Sequence, residues 1–237
     1  MREHISVQYD AELDAIRAHL FEMAGKVELQ LKDATRALLH LDTARADAAI
    51  AADAEVNQLE MTIDDLCSHI IVRRQPTAGD LRFIMATVKM IADLERIGDE
   101  STRIAKMAID LSGRERLIEH FGEFDDMAAN VTLMLQNALH AYIRVDMAAA
   151  TEVIALDKSV DASYRTLIAL LLPRMEQGGQ VVRPLVNLMW SARALERIGD
   201  HAKNVAEYVI YLGRGLDIRH QPLEAKRRDA LGESFGD

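Results

Sequence analysis

The chain has 237 residues, of which 49% are hydrophobic but only 5% aromatic, with four prolines and one cysteine. That composition favours helix over sheet, and the length suffices to bury a core in one domain or two small ones. A net charge of −10 excludes nucleic acid as the main partner, because phosphate binding calls for a basic surface, and the lone Cys67 excludes an internal disulfide and a cysteine-based zinc site.

From about Ile5 to Leu41 the apolar residues Leu13, Ile16, Leu20, Met23, Val27, Leu31, Ala34 and Leu38 recur at three and four. This spacing predicts a long amphipathic helix. Asp42-Thr43 supplies capping residues for a second helix over about Arg45–Arg73, built on Ile50, Val56, Leu59, Ile63, Leu66 and Ile70. Cys67 falls among these as a buried, inert thiol. Gln75-Pro76-Thr77-Ala78-Gly79-Asp80 is a turn. A third helix follows to Leu111, and Ser112-Gly113 is the only linker signal.

A fourth helix is expected over about Phe124–Val145 and a fifth over Met147–Met175, with Pro173 in its last turn. After the Gly178-Gly179 turn, a sixth runs from about Arg183 to Leu212 and stops at Gly213 and Gly215. The remainder, with Pro222 and Lys226-Arg227-Arg228, reads as a frayed tail. No stretch reaches the ~18 apolar residues of a membrane span, and Met1-Arg2-Glu3-His4 opens no apolar signal region. A cytoplasmic location is expected.

The two halves match. At an offset of 104, Val27, Leu29, Leu31 and Ala34 meet Val131, Leu133, Leu135 and Ala138, and Asp42, Ile50, Asp53 and Leu66 meet Asp146, Ile154, Asp157 and Leu170. Past the next turn the offset falls to 101, pairing Arg82 with Arg183. The fold class is therefore all-α, with two tandem three-helix bundles over 1–113 and 114–213 and a flexible tail over 214–237. Helices of about 30 residues are about 45 Å long, so an elongated molecule is expected.

Within the third helix stands Leu94-Glu95-Arg96-Ile97-Gly98-Asp99, which returns letter for letter as Leu195-Glu196-Arg197-Ile198-Gly199-Asp200 in the sixth. Each copy sets a Glu and an Asp four residues apart on one helix face. Folding the hairpin about residue 77 brings Glu95 and Asp99 beside Asp53, Asn57 and Glu60; folding the other about 178 brings Glu196 and Asp200 beside Asp161 and Asp157. Facing oxygen-ligand pairs suit a hard or borderline cation. Without one, close carboxylates raise one another's pKa. The competing reading is an ordinary solvated or salt-bridged face. Gly98 and Gly199 cost about 1 kcal/mol each in a helix interior, which a close helix approach would justify.

Arg96 and Arg197 lie on the far side of the wheel and read as surface or interface residues. His201, about 100° from Asp200 on the wheel, reads as solvent-exposed, Trp190 as core, and the 11 Met as packing. No Glu-x-x-His, glycine-rich phosphate loop, serine elbow or HExxH occurs.

The doubled LERIGD, the Arg74-Gln75-Pro76 turn before the first copy, and Glu207-Tyr208-Val209-Ile210-Tyr211-Leu212 after the second resemble the PhoU family of phosphate-specific transport accessory proteins. Tyr9-Asp10-x-Glu12-Leu13 and Met23-Ala24-Gly25-x-Val27-Glu28 also look like that family's first helix. The resemblance covers roughly residues 5–213. It implies two three-helix bundles, no catalysis, and repression of the phosphate-starvation response when phosphate is plentiful. The implied partners are the high-affinity phosphate ABC transporter, through its ATPase subunit, and the phosphate sensor histidine kinase. Members are often dimers, and a homodimer is expected.

Some members bind iron- or zinc-type clusters through these motifs. The resemblance thus implies a multinuclear iron or zinc site, or another divalent cation, at Glu95, Asp99, Glu196 and Asp200, helped by Asp53, Asp157 and Asp161. Asn57 stands where the second bundle has Asp161, so a weaker or differently occupied first site is expected. The alternative function is a carboxylate-bridged metal store or metal-dependent enzyme, and a third reading is a purely structural bundle.

Overall fold

A computed structural model describes residues 7–113 and 121–232. Its elements are α1 (Val7–His40), α2 (Thr43–Arg74), α3 (Ala78–Leu111), α4 (Phe121–Arg144), α5 (Met147–Glu176), α6 (Val182–Arg214) and α7 (Leu223–Leu231), with a 3₁₀ turn at Gly179–Val181 before α6. Among the described residues there are no strands, and no helix is long and apolar enough to cross a membrane. The expected linker residues Ser112 and Gly113 are the last described before Phe121. The fourth helix begins earlier than its pattern indicated, at Phe121.

The internal repeat extends to the first turn of each bundle. α1 ends in a Schellman arrangement in which the Asp42 amide donates to the Ala37 carbonyl at 3.0 Å and the Leu41 amide to the Leu38 carbonyl at 3.4 Å. Asp42 then turns its side chain onto the Arg45 amide at 3.0 Å and caps α2. The α4–α5 turn repeats this: Asp146 donates to Ala141, Val145 to Tyr142, and the Asp146 carboxylate accepts from the Ala149 amide at 3.0 Å. Leu41 and Val145 share a φ of 51°, the left-handed region that an Asn or Gly would normally fill.

α3 packs on α1 and α2, and α6 packs on α4 and α5. α3 and α6 also make the most extensive helix–helix contact in the molecule, with each other. The two bundles consequently share one apolar core, which runs from Leu13 and Ile16 through Leu94 and Ile97 to Leu195, Ile198 and Val209. Every residue of the α1 stripe read from the sequence is buried in it. Cys67 is fully buried, and burial, helped by Asp64, pushes its thiol up to about 12, which leaves it inert.

Two expectations are corrected. Trp190 is 51% exposed rather than core. On α6 the inward positions are Leu185, Leu188, Ala192, Leu195 and Ile198, while Trp190 lies with exposed Arg183, Arg193 and Arg197 on the outward stripe. The segment read as a frayed tail contains α7, which lies against α5 and α6. Ala230 is buried, its carbonyl accepts from Arg214 Nε at 3.2 Å, and the buried Lys226 ammonium pairs with buried Glu207 of α6.

Candidate functional site

In the first repeat α3 presents Glu95 and Asp99 toward Asp53 and Glu60 of α2, as the folded hairpin predicted. Burial pushes the Glu95 carboxyl up, and Asp99, Glu60 and Asp53 push it further, with Arg96 opposing. Glu60 is raised by burial, Asp64 and Asp99, again against Arg96. Both α1 and α2 come up to α3 here. A Cβ on Gly98 would stand 3.1 Å from Gln30 Oε1 and 3.5 Å from both Asp53 Oδ1 and Val56 Cγ1. Only the Gln30 contact is tighter than ordinary van der Waals packing, so a side chain here would have to displace that amide.

Sequence reasoning missed Gln30, which sits on the apolar stripe of α1 and is buried. Its amide nitrogen reaches the Ala49 carbonyl and Thr102 Oγ1 at 3.1 Å, and Asp53 Oδ1 and the Gly98 carbonyl at 3.3 Å. Thr102 donates to Asp53 Oδ1 at 3.2 Å, and Asn57 donates to Asp53 Oδ2 at 3.3 Å. Asp53 is thus held by neutral donors on three helices. A glutamine among valines and leucines at helical spacing was the available signal.

In the second repeat Glu196 and Asp200 of α6 face Asp157 and Asp161 of α5. Glu196 is raised by burial and by Asp200, Asp161 and Asp157, with Arg193 opposing; Arg193 donates to Glu196 at 2.6 Å. Asp157 is raised by burial against the pull of Lys203. The Lys203 ammonium donates to Asp157 Oδ2 at 2.7 Å and to Asp200 Oδ1 at 3.3 Å. Burial draws its pKa down, but the two carboxylates outweigh burial and hold it charged. A Cβ on Gly199 would lie 3.2 Å from Val160 Cγ1, the counterpart of Val56 in the first repeat.

Facing carboxylates are one requirement of a cation site; convergence is the other. Among the described residues, no three His, Cys, Asp or Glu side chains come together closely enough to hold one ion. As folded, the donor sets are therefore facing acidic clusters rather than preformed metal centres.

Arg197 and His201 belong to the seam between bundles. Asp93 of α3, only 2% exposed, accepts from Tyr208 Oη at 2.6 Å, His201 Nδ1 at 2.7 Å and Asn204 Nδ2 at 3.1 Å, all on α6. Burial works to raise the Asp93 carboxyl, but His201, Tyr208 and Asn204 together hold it below the ordinary range, so the proton on that contact sits on His201 Nδ1. His201 is corrected from solvent-exposed to a seam residue, its side chain only 12% exposed. Arg197 crosses to buried Glu100 of α3 at 2.8 Å, while Arg96 lies 3.7 Å from Asp93 on its own helix. Both guanidinium groups keep about half their surface, with 57% of the Arg96 and 44% of the Arg197 side chain exposed.

The repeat seen in the packing has a named counterpart among known proteins. The PhoU domain matches this chain twice, over residues 20–108 and 124–209. The Pseudomonas aeruginosa phosphate-specific transport system accessory protein PhoU homolog is 42% identical over 220 residues, 93% of this chain and 91% of that protein. The Escherichia coli (strain K12) accessory protein PhoU is 36% identical over the same share of each. The crystal structure of PhoU from Pseudomonas aeruginosa superposes with a TM-score of 0.85 at 41% identity, covering 88% of this chain and all of that one. The phosphate transport system regulatory protein PhoU of Streptococcus pneumoniae superposes at 0.81 with 25% identity, over 88% of this chain and 98% of that one. With both repeats matched and each copy of the doubled motif inside its match, this chain belongs to the PhoU family.

Proposed function

We propose that this chain is a regulatory adaptor of phosphate homeostasis that represses the phosphate-starvation response when phosphate is plentiful. In this reading it acts in the cytoplasm, as a homodimer and without catalysis. It stands between the ATPase subunit of the high-affinity phosphate ABC transporter and the phosphate sensor histidine kinase. One observation carries the reading: relatives matching 93% of the chain are named accessory proteins of phosphate-specific transport. The net charge of −10 suits association with basic protein faces. The test is a phosphate-responsive reporter in a strain lacking the chain. Expression is expected to stay high in phosphate-rich medium and to fall when the full chain is restored; a reporter still repressed in the deletion strain would refute the reading.

A second reading, cation uptake by the first-repeat carboxylates, is favoured by the raised carboxyls of Glu95 and Glu60, which burial pushes up and the nearby Asp99 charge pushes further. A bound divalent ion would relieve that repulsion. Metal analysis of untagged protein beside a Glu95→Ala, Asp99→Ala, Glu196→Ala, Asp200→Ala variant decides it. Stoichiometric iron, zinc or manganese that disappears in the folded variant supports the reading, and metal-free protein after loading and gentle washing removes it.

A further inference from the structure

The two carboxylate sets are written in the same motif but are neutralised differently. At the repeat offsets, Asp53, Asn57, Glu95 and Asp99 correspond to Asp157, Asp161, Glu196 and Asp200, and the helix approach at Gly98 corresponds to that at Gly199. The flanking positions do not correspond in charge. Where the first repeat has Thr102 and Ala92, the second has Lys203 and Arg193. Thr102 brings a neutral hydroxyl to Asp53 at 3.2 Å. Lys203 brings an ammonium to Asp157 at 2.7 Å and to Asp200 at 3.3 Å, thereby bridging α5 and α6. Arg193 closes on Glu196 at 2.6 Å.

We propose that the second-repeat carboxylates are neutralised from within the chain, and that the Lys203 ammonium occupies the point between Asp157 and Asp200 where a divalent cation would have to bind. The proposal does not depend on whether the first repeat takes up metal. An ammonium contacting carboxylates on both helices does what a bridging cation does: it ties α5 to α6 and cancels their repulsion. It also leaves an incoming ion a resident positive charge to displace, at a separation where that repulsion is strong. The lysine is three-quarters covered, with 24% of its side chain exposed, so its removal would empty the point rather than merely alter a surface. The duplicated motif therefore carries an internal salt link in one copy and not in the other. Lys203 is a positioning residue of the second repeat, and without it Asp157 and Asp200 face each other across α5 and α6 with no resident charge between them.

The experiment uses the full chain carrying Glu95→Gln and Asp99→Asn, so that only the second repeat reports. Manganese and zinc binding are followed by calorimetry and by the shift in melting temperature on adding excess MnCl₂ or ZnCl₂. With Lys203 intact, neither readout should change. Adding Lys203→Thr, the residue of the first repeat, should lower the melting temperature in metal-free buffer. The added cation should then restore it, with an affinity rising at least about tenfold, and Asp157→Asn with Asp200→Asn should abolish that gain. Lys203→Arg should behave as the unaltered protein does. Should the threonine variant fail to fold without metal, Lys203→Met and refolding with or without MnCl₂ give the same comparison. Stoichiometric cation in the protein with Lys203 intact, lost on Asp157→Asn with Asp200→Asn, would overturn the proposal. So would a neutral variant with unchanged melting temperature and no cation uptake.

Discussion

Replacing Asp93 with alanine is expected to remove about 3 kcal/mol from the stability of the whole molecule, the usual cost of taking one partner from a buried, charge-assisted network. At roughly 2–4 °C per kcal/mol for a chain of this size, the melting temperature should fall by roughly 6–12 °C. The carboxylate is the common acceptor of Tyr208, His201 and Asn204, so its loss leaves donors on α6 without partners in the seam between bundles. Asp93→Asn keeps the volume but turns an amide N–H toward those donors, and at least half of the loss should remain. In a double-mutant cycle with Tyr208→Phe the losses should fall short of additive, because both remove the same hydrogen bond. Additive losses would mean that Tyr208 and Asp93 act independently.

The same residue sets an acid limit. The Asp93 carboxyl titrates below its ordinary value of 3.8 in the folded protein, where His201, Tyr208 and Asn204 outweigh its burial. A carboxylate with a lowered folded pKa contributes stability above its unfolded pKa and loses it as pH falls toward the folded one. The difference between wild type and Asp93→Ala should therefore hold from neutral pH down to about pH 4 and shrink below it. A difference that is flat to pH 2 would contradict the assignment.

The second large effect is expected at the α6–α7 contact. Glu207→Ala would leave the Lys226 ammonium buried without its counter-ion, a situation that costs about 3–5 kcal/mol when the structure cannot relax. Here it can, because α7 is only nine residues long and joined to α6 by a non-helical segment. The expected result is release of α7 with the rest of the fold retained. Limited trypsin digestion would show it as faster cutting at Lys226, Arg227 and Arg228. Burial raises the Glu207 carboxyl against the pull of Lys226, so desolvation is not wholly offset by the ion pair. Glu207→Met with Lys226→Met should accordingly restore protection. Protection unchanged in Glu207→Ala would mean that Ala230 and its neighbours hold α7 alone.

The sequence is a good guide wherever one helix face decides the outcome. Periodicity placed the six long helices, the offset of 104 placed the repeat, and folding two hairpins on paper brought Glu95 to Glu60 and Glu196 to Asp161. It fails where a residue's environment comes from a distant element. His201 has no feature near it in the chain that announces Asp93, which lies 108 residues away on the other bundle. Lys226 looks like part of a charged tail until Glu207, 19 residues back, is brought against it. Hydrophobicity alone puts Trp190 inside, whereas its register on α6 puts it with Arg183 and Arg197 on the outward stripe. Gln30 is the reverse case, an amide on an apolar stripe whose acceptors come from α1's two neighbours.

The α3–α6 seam runs antiparallel: Asp93 meets residues 201–208 of α6, whereas Glu100 meets Arg197. Two copies of one helix packed in this way are what an isologous dimer of single repeats would present, each surface patch facing its own image. In such a dimer every group at the contact must be tolerated twice. Tandem fusion lifts that restriction, and the seam has used the freedom. The counterpart of Asp93 is the buried Ala194, and the counterpart of His201 is Glu100. One strong acceptor site is thus written once, off the local axis, with its three donors on the opposite side only. The chain has in effect turned a self-complementary contact into a lock and key held in permanent register by its own backbone.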